Sequence, residues 1–155
     1  MNSHAPTFDS LEVGHKLHGR MTVTEAHVVL AAGIFGDFAP LHVDAEYAKT
    51  TRFGERIAHG TLITGIMAGV LSKGLGKYAL GYLEQNVKFL APVFFGDTVT
   101  TEWEVLEKIP KEKLGGGIVK LACQCSSDRG TVVVSGESAL IVGNGQPVEP
   151  EEDSA

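Results

Sequence analysis

The spacing of hydrophobic positions divides the chain into a helical first half and an extended second half. Gly14 to Val23 reads as an entering strand, and Thr24 then caps a predicted helix from Glu25 to about Phe35. Val23 and Val28 sit where a hydrophobic staple would bracket that cap. Pro40 disfavours a helical Ala39, so Gly36 to Asp44 is expected to be an irregular bend that gathers polar atoms. A short helical stretch near Ala45 to Lys49 follows. A loop then leads through Phe53-Gly54-Glu55-Arg56 to Ile57-Ala58-His59-Gly60, at the entrance to a longer helix.

In that longer helix, Thr61 to about Leu75, the residues Leu62, Ile63, Ile66, Met67, Val70 and Leu71 spread apolar surface around much of the circumference. Cover on several sides is expected. Gly65 and Gly69 share a face and predict close approach by a strand or another helix. The period then becomes two. Leu83, Val87 and Phe89 fall on one side of an extended run, as do Val99, Thr101, Trp103 and Val105 in the next, with Pro92 to Asp97 turning between them. Val119, Leu121, Cys123 and Cys125 alternate up to the turn Ser127-Asp128-Arg129-Gly130, after which Val132 and Val134 open a strand continuing through Leu140 and Val142. These elements predict an α+β domain over residues 11–142 in which a curved antiparallel sheet wraps a central helix. Residues 1–10 read as a flexible start and 143–155 as a polar tail.

Composition narrows the options. A chain of 155 residues, 43% hydrophobic and 21% charged, suits one globular domain rather than a disordered segment. Its formal charge of -6 argues against nucleic acid while leaving room for a single phosphate contact. Met1 to Ser10 lacks a signal-type pattern, and Leu62 to Leu75 is interrupted by Thr64, Ser72 and Lys73, short of the roughly 20 apolar residues a bilayer requires. No membrane association and a cytoplasmic location are therefore expected. Cys123 and Cys125, two apart on one strand face, read as buried thiols in a reducing compartment. No glycine signature for a dinucleotide follows a strand, no serine occupies a nucleophile elbow, and the histidines lack zinc spacing. Neither a metal nor a separate cofactor is expected.

Asp37 and His42 flank the bend at Pro40, which can turn both side chains toward one pocket. Histidine, with an ordinary pKa of about 6.5, takes up a proton near neutrality, and a neighbouring carboxyl group can orient water and exchange the proton. A structural reading competes with this one: Asp37 could cap local N–H groups and His42 could be a hydrogen-bonded core residue. Asp44 reads as the cap of the following turn. Gly60, at a helix start where N–H groups are unpaired, permits close approach by an oxygen that gains negative charge.

The ordered set Phe35-Gly36-Asp37-Phe38-Ala39-Pro40-Leu41-His42-Val43-Asp44, Arg52-Phe53, Ile57-Ala58-His59-Gly60, Asn86-Val87-Lys88-Phe89 and Pro92 to Val99 resembles the MaoC-like hotdog family. The resemblance covers most of the chain and is sharpest to the R-specific enoyl-CoA hydratase and dehydratase branch. It implies a hotdog fold, a homodimer or higher homo-oligomer, and an acyl-thioester substrate of which coenzyme A is a part. It further implies that Asp37 and His42 activate water for addition to a trans-2-enoyl thioester, or remove water from an R-3-hydroxyacyl thioester, while the Gly60 N–H polarises the thioester carbonyl. Leu62, Ile66, Phe89 and Phe94 are candidates for apolar substrate walls; Arg56, Lys73, Lys77 and Lys88 are candidates for phosphate contacts, with no assignment among them. Two positions depart from the hydratase pattern. Ala39 stands where an asparagine is usual, and Ala68 where an active-site serine is expected. They leave open a dehydratase of branched, hydroxylated or acyl-carrier-protein-linked thioesters, and a non-catalytic acyl-thioester binding module.

Overall fold

A computed structural model describes residues 5–145. Residues 1–4 of the expected flexible start and 146–155 of the expected tail lie outside the described residues. The chain runs β1 (Lys16–Thr22), α1 (Glu25–Phe35), α2 (Pro40–Val43), α3 (Ala45–Lys49), α4 (Gly60–Leu75), β2 (Ala79–Phe89), β3 (Thr98–Lys111), β4 (Gly116–Ser127) and β5 (Val132–Gly143). The five strands form one antiparallel sheet in the order β1-β3-β4-β5-β2, and α4 packs against its concave face. This is the hotdog arrangement that the sequence predicts.

The alternation in the central strands explains the core. Val99, Thr101, Trp103 and Val105 from β3, and Val119, Leu121, Cys123 and Cys125 from β4, are all buried. The Trp103 indole N–H donates to the Met67 carbonyl at 2.9 Å, tying the sheet to α4. Val23 and Val28 are buried as the staple predicts. Thr24 N–H donates to His27 Nδ1 at 3.0 Å, so His27 serves the start of α1. Phe8 is buried too, and its N–H donates to Gly143 O at 3.0 Å, which fastens the beginning of the chain to the end of the sheet.

Four expectations need correction. The bend at Pro40 contains a helical turn, α2, because proline's fixed φ suits the first helical position. The inward side of β2 holds only in part: Val87 packs against the core, whereas Leu83 is exposed beside the register shift at Tyr82/Glu84 and Phe89 is exposed at the end of the strand. Helix α4 buries one stripe, Ile63, Met67, Leu71 and Leu75, rather than several faces. Gly65 and Gly69 lie on its open side, where an added Cβ would have no atom within 4 Å.

Candidate active site

Helix α1 stops at Gly36, whose left-handed φ of 70° is costly for residues with a Cβ. The Asp37 N–H still donates to Ala32 O at 3.1 Å, so the carboxylate starts its excursion from an anchored backbone. Its Oδ1 accepts the Ala39 N–H at 3.2 Å, and the side chain remains 48% exposed. Asp37 therefore does cap the bend, but with one oxygen only. Asp44 caps α3 outright by accepting from Tyr47 N–H at 2.9 Å.

His42 is carried by α2 and is buried. The α2 turn is clipped to the loop before α4, because Ile57 N–H donates to Leu41 O at 3.3 Å and His42 Nδ1 lies 2.7 Å from Ile57 O. A carbonyl can only accept, so His42 Nδ1 carries the hydrogen and the neutral ring keeps its lone pair on Nε2. That Nε2 lies 3.9 Å from Asp37 Oδ2. The separation is too long for a direct hydrogen bond, yet one water between them could donate to both atoms at about 2.8 Å. Each member of the pair thus commits one atom to the fold and leaves one for chemistry.

Gly60 opens α4, and His59 at the N-cap supplies no side-chain cap. Leu62 N–H donates to His59 O at 3.1 Å, while the N–H groups of Gly60 and Thr61 have no partner among the described residues. Glycine permits close packing here: a Cβ on residue 60 would lie 2.8 Å from Phe89 Cε1, so the ring would have to shift. His42 and Gly60 line the same cleft of about 280 Å³, with Arg52, Phe53, Ile57, Ile63 and Phe89 among its walls. A groove of about 480 Å³ runs along the open side of α4, lined by residues including Phe35, Leu62, Gly65, Ile66 and Lys73.

The candidate wall residues are consequently divided. Phe89 lines the cleft, Leu62 and Ile66 line the groove, and Phe94 lines neither. Phe94 instead bridges to Ile57, with the Arg129 guanidinium 4.3 Å above its ring. Among the candidate cations, Arg56 is paired with Glu25 at 2.8 Å, Lys73 belongs to the groove, and Lys77 lies over Tyr78; Lys88 is exposed on β2. Arg52 is a cation that lines the cleft itself, and its residue type gave no reason to prefer it over the others.

Sequence reasoning also missed what lies behind the pair. His59 is buried and stacks on His42 with ring centroids 3.9 Å apart. Asp37, His42 and His59 each place a potential ligand atom within 4.8 Å of the others. The donor set nevertheless suits proton transfer better than a closed metal shell. One nitrogen of each ring faces a backbone carbonyl, so the three residues offer one donor atom apiece, short of the four that a closed shell uses.

Residues 10–123 match the MaoC-like domain family. The chain is 36% identical over 135 residues to an (R)-specific enoyl-CoA hydratase of Rhodospirillum rubrum, covering 87% of this chain and 90% of that protein. It is 36% identical to a 3-hydroxybutyryl-CoA dehydratase of Methylorubrum extorquens, covering 92% and 88% respectively. An unliganded R-hydratase of Pseudomonas aeruginosa superposes with a TM-score of 0.80 at 36% identity, over 88% of this chain and 85% of that one. With the hotdog sheet, the long helix and the ordered motif in place, the chain belongs to the MaoC-like family.

Proposed function

We propose that this protein is an R-specific enoyl-CoA hydratase, interconverting trans-2-enoyl-CoA and R-3-hydroxyacyl-CoA, with Asp37, His42 and Gly60 as its catalytic groups. The observation that carries the reading is the pair of uncommitted atoms, His42 Nε2 and Asp37 Oδ2, 3.9 Å apart, with His42 and Gly60 lining one cleft and Asp37 beside it. The named relatives support the same reaction in both directions, as hydratases and as a dehydratase.

In hydration, a water held by the pair attacks Cβ with an oxygen lone pair. The C=C electrons move onto the thioester as an enolate, whose oxygen accepts the Gly60 N–H. The departing water proton goes to His42 Nε2, while Nδ1 keeps its hydrogen on Ile57 O. The enolate then collapses and Cα takes a proton back from the His42–Asp37 pair, so that one water is added and the protein returns to its starting state. Dehydration is the reverse sequence.

Phe89 supplies an apolar wall in the cleft, while Leu62 and Ile66 supply one in the groove; Phe94 supports the cleft from behind through Ile57. Arg52 is the cation we assign to a substrate phosphate, because it lines the cleft and forms no ion pair among the described residues. A homodimer fits the exposed apolar side chains Leu80, Leu83 and Phe89 on β2, an edge strand of the sheet. Ala39 and Ala68 favour a second substrate class, branched or hydroxylated acyl thioesters, since both positions lack the polar side chains of the hydratase pattern.

A panel of trans-2-enoyl-CoA thioesters of graded length and branching tests the proposal. Metal-free turnover to the R-3-hydroxyacyl product with at least one member is the expected result. Saturable binding of the same thioesters with no turnover on any of them would identify a binding module instead.

A further inference from the structure

His59 takes no part in the proton transfers above, yet it is 1% exposed and touches every element of the site. Its Nε2 lies 3.0 Å from the Asp37 carbonyl oxygen, so Nε2 carries the hydrogen and donates it. One face of its ring stacks on His42. Phe35, at the end of α1, meets the same ring edge-on at a centroid distance of 6.1 Å. The His59 backbone is the N-cap of α4 and immediately precedes Gly60.

Packing does not explain the residue type. With Nε2–H committed, Nδ1 is an acceptor, and it is buried without a hydrogen-bond partner among the described residues. Folding tolerates such an atom at a cost in stability, and a phenyl ring would fill similar space without it. What phenylalanine cannot do is hold the Asp37 carbonyl. What glutamine cannot do is stack on His42. Imidazole does both, which links the bend bearing Asp37, the turn bearing His42 and the helix entrance bearing Gly60 through one side chain.

We infer that His59 is a positioning residue for this reaction, acting through Asp37 and His42 to keep Oδ2 and Nε2 aimed at a common water. The inference rests on the proposed hydratase reading for its kinetic effect, but its structural core is independent of that reading. The stack restrains the His42 ring plane, and the hydrogen bond restrains the Asp37 backbone. Loss of either increases the spread of geometries at the reacting atoms, and misplacement on the order of 1 Å costs up to about 100-fold in rate.

The test compares His59→Ala, His59→Phe and His59→Gln with the parent, using ring-nitrogen NMR of His42 and steady-state kinetics on an enoyl thioester. The parent His42 is expected to be a single Nδ1–H tautomer. In His59→Ala the Ile57 carbonyl still sets that tautomer, but the His42 ring signals broaden as the ring plane gains motion, and kcat falls about 10- to 100-fold with KM within about twofold of the parent. His59→Phe, which keeps the stack, and His59→Gln, which keeps the donor, each recover part of the kcat loss. His59→Phe does so with a Tm equal to or above the parent's, so that stability and rate move in opposite directions. His42 ring signals as narrow in folded His59→Ala as in the parent would overturn the inference, as would a kcat within twofold of the parent or a loss confined to KM. If the parent turns over no thioester, the hydratase reading fails, and the His42 ring linewidths still decide the role of His59.

Discussion

Asp37 and Asp97 are two aspartates at turns, and they are treated oppositely by the fold. Asp97 is 4% exposed, and both of its oxygens are engaged. Oδ1 accepts Arg129 Nε–H at 2.6 Å, and Oδ2 accepts Phe94 N–H at 3.0 Å and Ser127 Oγ–H at 3.2 Å. That network pins the Pro92–Asp97 turn to the β4–β5 hairpin, and the carboxylate in turn holds the Arg129 guanidinium above its ordinary pKa. Asp37 has one oxygen engaged and one free, beside a histidine in the same condition. A saturated carboxylate fixes structure, whereas a half-satisfied one retains the capacity to bind and move a proton.

The sharpest way to break this comparison is at the paired base. His42→Ala should lower hydration turnover by about 10³- to 10⁴-fold in a protein that still folds. Loss of folding alone, with normal turnover per folded molecule, would assign His42 to structure. At Asp97 the opposite pattern is expected. Asp97→Ala leaves the Phe94 N–H and Ser127 hydroxyl without their acceptor and should cost about 2 kcal/mol in denaturant unfolding, with turnover per folded molecule retained. A smaller effect is expected at the helix entrance. The Cβ of Gly60→Ala meets Phe89 at 2.8 Å and should push the ring or the helix start, lowering turnover about 10-fold with little change in stability.

The smallest effect concerns Cys123, buried in the core between sheet and helix. Burial, reinforced by the neighbouring Cys125, pushes its thiol from 9.0 up to about 11. Alkylation of the native protein near pH 8 should be slow and should accelerate as pH rises toward 11, whereas the unfolded chain reacts readily. Between pH 9 and about 11 the unfolded chain loses this proton while the native state keeps it, so the contribution of Cys123 to stability declines across that window. Rapid labelling of the folded protein at pH 8 would contradict its placement.

The same distinction between saturated and spare groups shows what the sequence could reveal. Strands β3 and β4 were legible because they are interior and their hydrophobic alternation is uninterrupted around Trp103 and Cys123. The limits of α1 were legible from Thr24 and Gly36. Strand β2 was legible only in part, because Val87 packs inward as its alternation predicts while Leu83, beside a register shift, and Phe89, at the strand end, stay exposed. The open side of α4 was not legible, because an apolar residue gives no sign of whether its own chain covers it. At the site, the ordered motif singled out Asp37, His42 and Gly60, and the fold brings Asp37 within 3.9 Å of His42 and lines one cleft with His42 and Gly60. The stacking of His59 on His42 was invisible, since it depends on hydrogen bonds across 15 and 22 residues that join His42 to Ile57 and His59 to Asp37.

The most direct test is the initial rate and product configuration of trans-2-enoyl-CoA hydration by the parent and by Asp37→Asn, compared at equal concentrations of folded protein. The substitution retains an acceptor for the Ala39 N–H, so folding is preserved while the spare charge is removed. The account predicts R-3-hydroxyacyl-CoA from the parent and a rate lower by about 10²- to 10³-fold in the variant. An equal rate in the two proteins, or a product that is S or racemic, would contradict it.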